Sequence, residues 1–96
     1  MPPVFTSETV VRRVSTALWR TFEQETAVIL PTASAVRVLN EVGARVWELA
    51  DGRSFGEIIS TLLNEYEVER TQLELDARAF LTELYSRGLL EGFPEE

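Results

Sequence analysis

Ser34-Ala35-Val36-Arg37-Val38-Leu39-Asn40-Glu41-Val42-Gly43-Ala44-Arg45-Val46-Trp47, residues 34–47, contains the point at which the chain changes its hydrophobic period. From Ser34 to Leu39 the residues alternate, with Val36 and Val38 opposite Arg37 and Leu39, which is the two-residue period of a strand. Beyond Asn40 the apolar residues Val42, Val46, Leu49 and Ala50 share one helical face, with Trp47 beside them. Asn40 stands where a helix cap belongs, and Glu41 complements the dipole of the first turn. Strand therefore gives way to helix at Asn40. The helix is expected to run to about Ala50, with Gly52 supplying the left-handed residue that ends it.

Upstream, Ala17–Phe22 and Thr26–Leu30 have the same strand character, separated by the polar break Glu23-Gln24-Glu25. Pro31 cannot donate to a ladder and marks the next turn. The three segments predict a meander whose last strand, Ser34–Leu39, is an edge with unpaired backbone groups and Arg37 as its only charge. Residues 1–16 are expected to form an N-terminal arm, with Val10, Val11 and Val14 able to lie along the body. Downstream, Ser54 and Glu57 form a capping box ahead of Phe55, Ile58, Ile59, Leu62, Leu63 and Tyr66. Thr71 and Glu74 suggest a second box, behind which Leu73, Ala77, Phe80, Leu81 and Leu84 form one stripe until Gly88. Leu89-Leu90 can add a short closing strand, and 93–96 is a tail. The expected fold is α+β: a three-stranded antiparallel sheet followed by three helices, close to a winged helix-turn-helix plan, with residues 17–92 as the domain.

Ninety-six residues support one hydrophobic core, and 45% hydrophobic with 26% charged residues is an ordinary globular balance. Cysteine and histidine are both absent, which removes disulfides, thiolate zinc, cysteine nucleophiles and the usual proton shuttle near neutral pH. The acid run Glu65, Glu67 and Glu69 beside Arg70 reads as a solvated helix end without a nucleophile or metal-spaced partner. These features predict a non-enzyme with no cofactor and no metal. The chain has no apolar run of membrane-spanning length and no signal-peptide pattern at its start, so a cytoplasmic location is expected. Net charge is −7 and uneven: residues 1–40 carry four Arg against three Glu, residues 41–96 five Arg against thirteen acids. That field predicts neither a nucleic-acid nor a membrane partner.

Val38-Leu39-Asn40-Glu41-Val42-Gly43-Ala44, Trp47-Glu48-Leu49-Ala50-Asp51-Gly52 and Glu57-Ile58, followed by Tyr66, Asp76-Ala77, Phe80-Leu81, Leu84 and Gly88-Leu89-Leu90, occur in an order that resembles the PqqD family of pyrroloquinoline-quinone biosynthesis. Trp19-Arg20 before Val28-Ile29-Leu30 resembles that family's first hairpin, so the likeness covers about residues 17–91. It implies a RiPP recognition element, a peptide chaperone that holds the leader of a ribosomal precursor peptide while a modifying enzyme, typically a radical SAM enzyme, works on its core. The resemblance also implies that the leader lies as an extra strand between the third strand and the third helix. On this chain the walls would be Ser34, Ala35, Val36, Arg37 and Val38 on one side and Leu73, Asp76, Ala77 and Phe80 on the other. Ala77 departs from the Val usual at its position.

Each of these residues also has a purely structural reading. The stripe Leu73–Leu84 is core, with Phe80 able to floor a groove as well; Asp76 can meet a leader cation or pair with an Arg; Trp47 suits packing, and Trp19 can face core or solvent. The alternative function is a winged-helix DNA-binding regulator. It needs a basic recognition helix, whereas the second helix offers Glu57 and Glu65 without Arg and the third balances Arg78 and Arg87 against Glu74, Asp76 and Glu83. A structural subunit is a third reading, and an open edge strand also allows a homodimer.

Overall fold

A computed structural model describes residues 5–23, 25–30 and 35–91. The elements run β1 (Val10–Arg13), β2 (Leu18–Phe22), β3 (Glu25–Leu30), β4 (Ala35–Leu39), α1 (Glu41–Leu49), β5 (Asp51–Ser54), α2 (Phe55–Glu65), α3 (Arg70–Ser86) and β6 (Leu90–Glu91). The alternating segments form the expected antiparallel meander β2-β3-β4, with Leu18 opposite Ile29 and Ile29 opposite Val36. The helices pack on one side of it, so the fold is α+β as the period change at Asn40 predicts. Ser34 and the tail at 93–96 lie outside the described residues.

The expected N-terminal arm does more than lie along the body. Val10–Arg13 is the middle strand of a second sheet, order β5-β1-β6, pairing antiparallel with Asp51–Ser54 on one side and Leu90–Glu91 on the other. Asp51-Gly52-Arg53-Ser54 has little strand propensity, and β6 contributes two residues. These strands exist because β1 supplies partners across long stretches of chain. Gly52 is left-handed at φ 111° as expected, but α1 is closed two residues earlier, by the Ala50 N–H on the Trp47 carbonyl, so Gly52 sits inside β5 and is not the helix stop.

Capping fixes where each helix begins. The Asn40 side chain accepts from the Gly43 N–H at 2.8 Å, and Ser54 and Glu57 complete a reciprocal box. The expected Thr71–Glu74 box does not form. Helix α3 starts two residues earlier, at Arg70, because the longer Glu69 side chain reaches the Thr71 and Gln72 N–H groups. Glu74 is free to pair with Arg70 and Arg78 instead. At the far end Gly88 takes φ 76°, and the bonds Leu89 N–H to Leu84 O and Gly88 N–H to Tyr85 O close a Schellman turn that buries Leu89.

The core joins Val28 and Leu39 of the meander to Val46, Trp47 and Leu49 of α1, Ile58, Ile59 and Leu62 of α2, and Leu73, Ala77, Leu81 and Leu84 of α3. Val42 is an exception, since it is exposed despite sharing the helical repeat of Val46. Arg45 on α1 grips Glu65 at the end of α2 in a bidentate pair at 2.8 and 2.7 Å. Arg13 ties the two sheets to α1. Its Nη1 donates to the Trp47 and Glu48 carbonyls at 2.7 and 2.8 Å, and its guanidinium lies over the rings of Trp19 and Trp47. Helix α1 has no basic residue in its last turn, so β1 supplies the cation that its C-terminus lacks. No helix among the described residues is long and apolar enough to cross a membrane.

Two expectations follow. Arg13→Met keeps the apolar stem but leaves two helix-end carbonyls without their charged donor, and should lower unfolding free energy by about 2 kcal/mol in urea titrations followed by tryptophan fluorescence. The Ser54 backbone N–H holds the Glu57 carboxyl below the usual carboxylate range. A carboxyl depressed in the folded state stabilises above its unfolded value and loses that contribution as pH falls through the folded one. Melts recorded on acidification should therefore fall less steeply for Glu57→Gln than for the wild type.

Candidate functional site

Strand β4 pairs only with β3 among the described residues, so its other edge carries open backbone donors and acceptors. That edge faces α3. Between them lies a groove of about 740 Å³ with α1 as its floor, lined by Arg37, Val38, Leu39 and Asn40, by Val42, Gly43 and Val46, and by Val68, Glu69, Gln72, Leu73, Asp76, Ala77 and Phe80. The α3 residues in this set are one helical stripe, three and four residues apart, which is why a single helix can form a continuous wall.

Of the residues expected to bind, Arg37, Val38, Leu73, Asp76, Ala77 and Phe80 meet in this one groove. Val36 does not. Like Val38 it stands on the side of the pleat opposite Arg37 and Leu39, but it lies outside the groove lining and is largely exposed. Ala35 holds the outer end of the strand opposite Leu30. Leu73 and Ala77 are buried, while Phe80 is half-buried against the core and open to the groove, so it serves both roles considered for it. Asp76 is exposed and accepts from the Gln72 amide at 2.9 Å, and among the described residues it pairs with no Arg.

The groove's charge is set by few groups. Arg37 Nη2 meets Glu83 Oε1 at 2.9 Å, one helical turn beyond Phe80, and Glu83 also holds Arg87. This bridge ties β4 to α3 at one end of the groove; both side chains are partly solvated, so its stabilisation is at most about 1 kcal/mol. With Arg37 so neutralised, Asp76 and Glu69 leave the remaining wall acidic. Sequence reasoning missed the α1 floor and the end formed by Val68, Glu69 and Gln72. The available signal was Val42, an apolar residue at the start of a stripe whose other members find core partners. A separate polar recess along α2, containing Arg53 and Arg70, has both cations already paired, to Asp51 and Glu74.

Among the described residues no cluster of three or more His, Cys, Asp and Glu is arranged to hold a metal. What the site offers is an open strand edge above an apolar floor with an acidic rim, which suits recognition of an extended chain.

The fold is similar to two solved structures. One is TbiB1 in complex with the TbiA(beta) leader peptide, 28% identical, with a TM-score of 0.79 over 88% of this chain and 99% of that one. The other is the PqqD truncation of Methylobacterium extorquens PqqCD, a RiPP recognition element solved by NMR, 23% identical, with a TM-score of 0.76 over 95% of this chain and 98% of that one. None of the curated proteins matches the chain. The family model for coenzyme PQQ synthesis protein D matches residues 25–90, which takes in β3 and β4 of the meander, all three helices and the groove between β4 and α3. The chain thus belongs to the PqqD family.

Proposed function

We propose that the protein is a leader-peptide chaperone, a non-catalytic RiPP recognition element that binds the leader of a ribosomal precursor as an added strand on β4 and presents the core to a modifying enzyme. The observation that carries this reading is the unpaired β4 edge beside an apolar groove, in a chain whose similar structure TbiB1 holds a leader peptide. Main-chain bonds to β4 supply affinity that is independent of sequence. Alternate side chains of the added strand enter the groove and supply specificity. Apolar leader residues meet Val42, Val46, Leu73, Ala77 and Phe80, and a leader cation meets Asp76. The enzyme partner in this reading is a radical SAM enzyme, and the site of action is the cytoplasm. A winged-helix DNA-binding role is the weaker reading, because the acidic rim of α3 would repel phosphate.

Titrating the isotope-labelled protein with a synthetic leader, taken from a precursor encoded nearby, should shift amides in 35–39 and 72–80 and protect β4 amides from exchange. Absence of shifts in both segments sinks the proposal. Gly43 gives a sharper test. A Cβ there would lie 3.5 Å from the Phe80 ring and 3.2 Å from Asn40 Oδ1, at the floor of the groove. Gly43→Ala gains up to about 1 kcal/mol of helix propensity, so stability should hold. Leader affinity, measured by calorimetry, should fall severalfold because the added methyl fills part of the groove floor beside Phe80.

A further inference from the structure

Presenting a bound peptide requires that a second protein be engaged while the groove is full, and the groove accounts for only one surface. The meander has two sides. One carries Trp19, Thr26, Val28, Arg37 and Leu39 toward the helices. The other carries Leu18, Ile29 and Val36 in one row across the three strands, Arg20, Ala27 and Val38 in the next, and Phe22 opposite Glu25 at the rim. On that open side Leu18 is 64% exposed, Phe22 54% and Val36 61%. No described element packs against it. Isolated exposed apolar residues are ordinary, but a contiguous face of a few hundred Å² on a small domain marks an interaction site.

We propose that this open face docks the modifying enzyme, and that β4 joins docking to peptide capture. The proposal rests on the peptide-binding reading above. Strand β4 contributes to both surfaces: Arg37 and Leu39 face the groove side, while Val36 and Val38 stand on the open side of the pleat, Val38 also bordering the groove. A leader strand added to the β4 edge lengthens the sheet by one strand. Its outward side chains then continue the rows that end at Val36 and Val38. The enzyme therefore reads a surface built by β2, β3, β4 and the leader together.

The face also indicates what covers it. Arg20 sits among the apolar side chains and pairs with no carboxylate among the described residues, so the complementary partner surface is apolar with an acid opposite Arg20. A second copy of this chain fits poorly. It carries the same net charge of −7, and its open face offers Arg20 a single carboxylate among the described residues, Glu25, at the rim opposite Phe22. Delivery of a substrate calls for a transient complex with such a partner.

The test uses the full chain, a synthetic leader and the purified modifying enzyme encoded beside this chain, with affinities measured by calorimetry and folding checked by amide spectra. Leu18→Asp, Phe22→Asp and Arg20→Glu lie away from the groove and are solvent-exposed. Each should weaken enzyme binding by about tenfold. Leader affinity should stay within about twofold of wild type in all three, since none touches the groove. Leader should tighten the wild-type enzyme complex severalfold through the shared surface. Unchanged enzyme affinity in the Leu18→Asp, Phe22→Asp double variant overturns the docking site. So does sedimentation showing a wild-type dimer that this double variant converts to monomer, because a second copy would then own the face. An enzyme affinity indifferent to leader overturns the joint surface. Failure of the wild type to bind leader at all overturns the peptide-binding reading instead, and docking is then scored from the leader-free measurements alone.

Discussion

Arg13 is the point through which the two sheets and the first helix constrain one another. Its guanidinium satisfies the last carbonyls of α1 and lies over Trp47 and Trp19, so one side chain from β1 contacts both a core aromatic and the meander. Helix α1 then cannot shift along the sheet without losing two charge-assisted hydrogen bonds. That restriction matters because α1 floors the groove. A floor free to slide would offer a leader no defined depth, and the order of preorganised apolar contacts would be lost.

The second consequence concerns β4. In a meander the last strand is an edge by topology, and edges in soluble proteins are usually blunted by charge, a bulge or a covering element. Here the one charge, Arg37, is turned inward to Glu83, so it links strand to helix and leaves the edge itself unguarded. The same strand alternates between the groove and an open apolar face. In the proposed reading two recognition surfaces share this strand, and strand geometry alone would couple them.

Much of this was legible in the chain. Asn40, Ser54 and Glu57 act locally, each within three residues of its partner, and the structure places them as caps where the sequence indicates. The alternation of Ser34–Leu39 identifies both the edge strand and its two faces. Glu69 was missed because Thr71 is the commoner cap, and only the reach of the longer side chain decides in favour of the Glu. The sheet β5-β1-β6 was missed for a different reason. Asp51-Gly52-Arg53-Ser54 has no strand signal of its own and becomes a strand by pairing with residues about forty positions away.

By itself, then, the sequence determined everything that local physics controls: the change of period at Asn40, the helix stripes, the caps at Asn40 and Ser54, the stop at Gly88 and the family pattern running through them. Tertiary structure alone decided what depends on distant partners. It made the expected arm a central strand, brought Arg13 to the end of α1, and left Val42 and Gly43 at the bottom of a groove. Hydrogen bonds and periodicity over a few residues are encoded where they act, whereas a groove is the space left between elements that meet only after the chain has closed on itself.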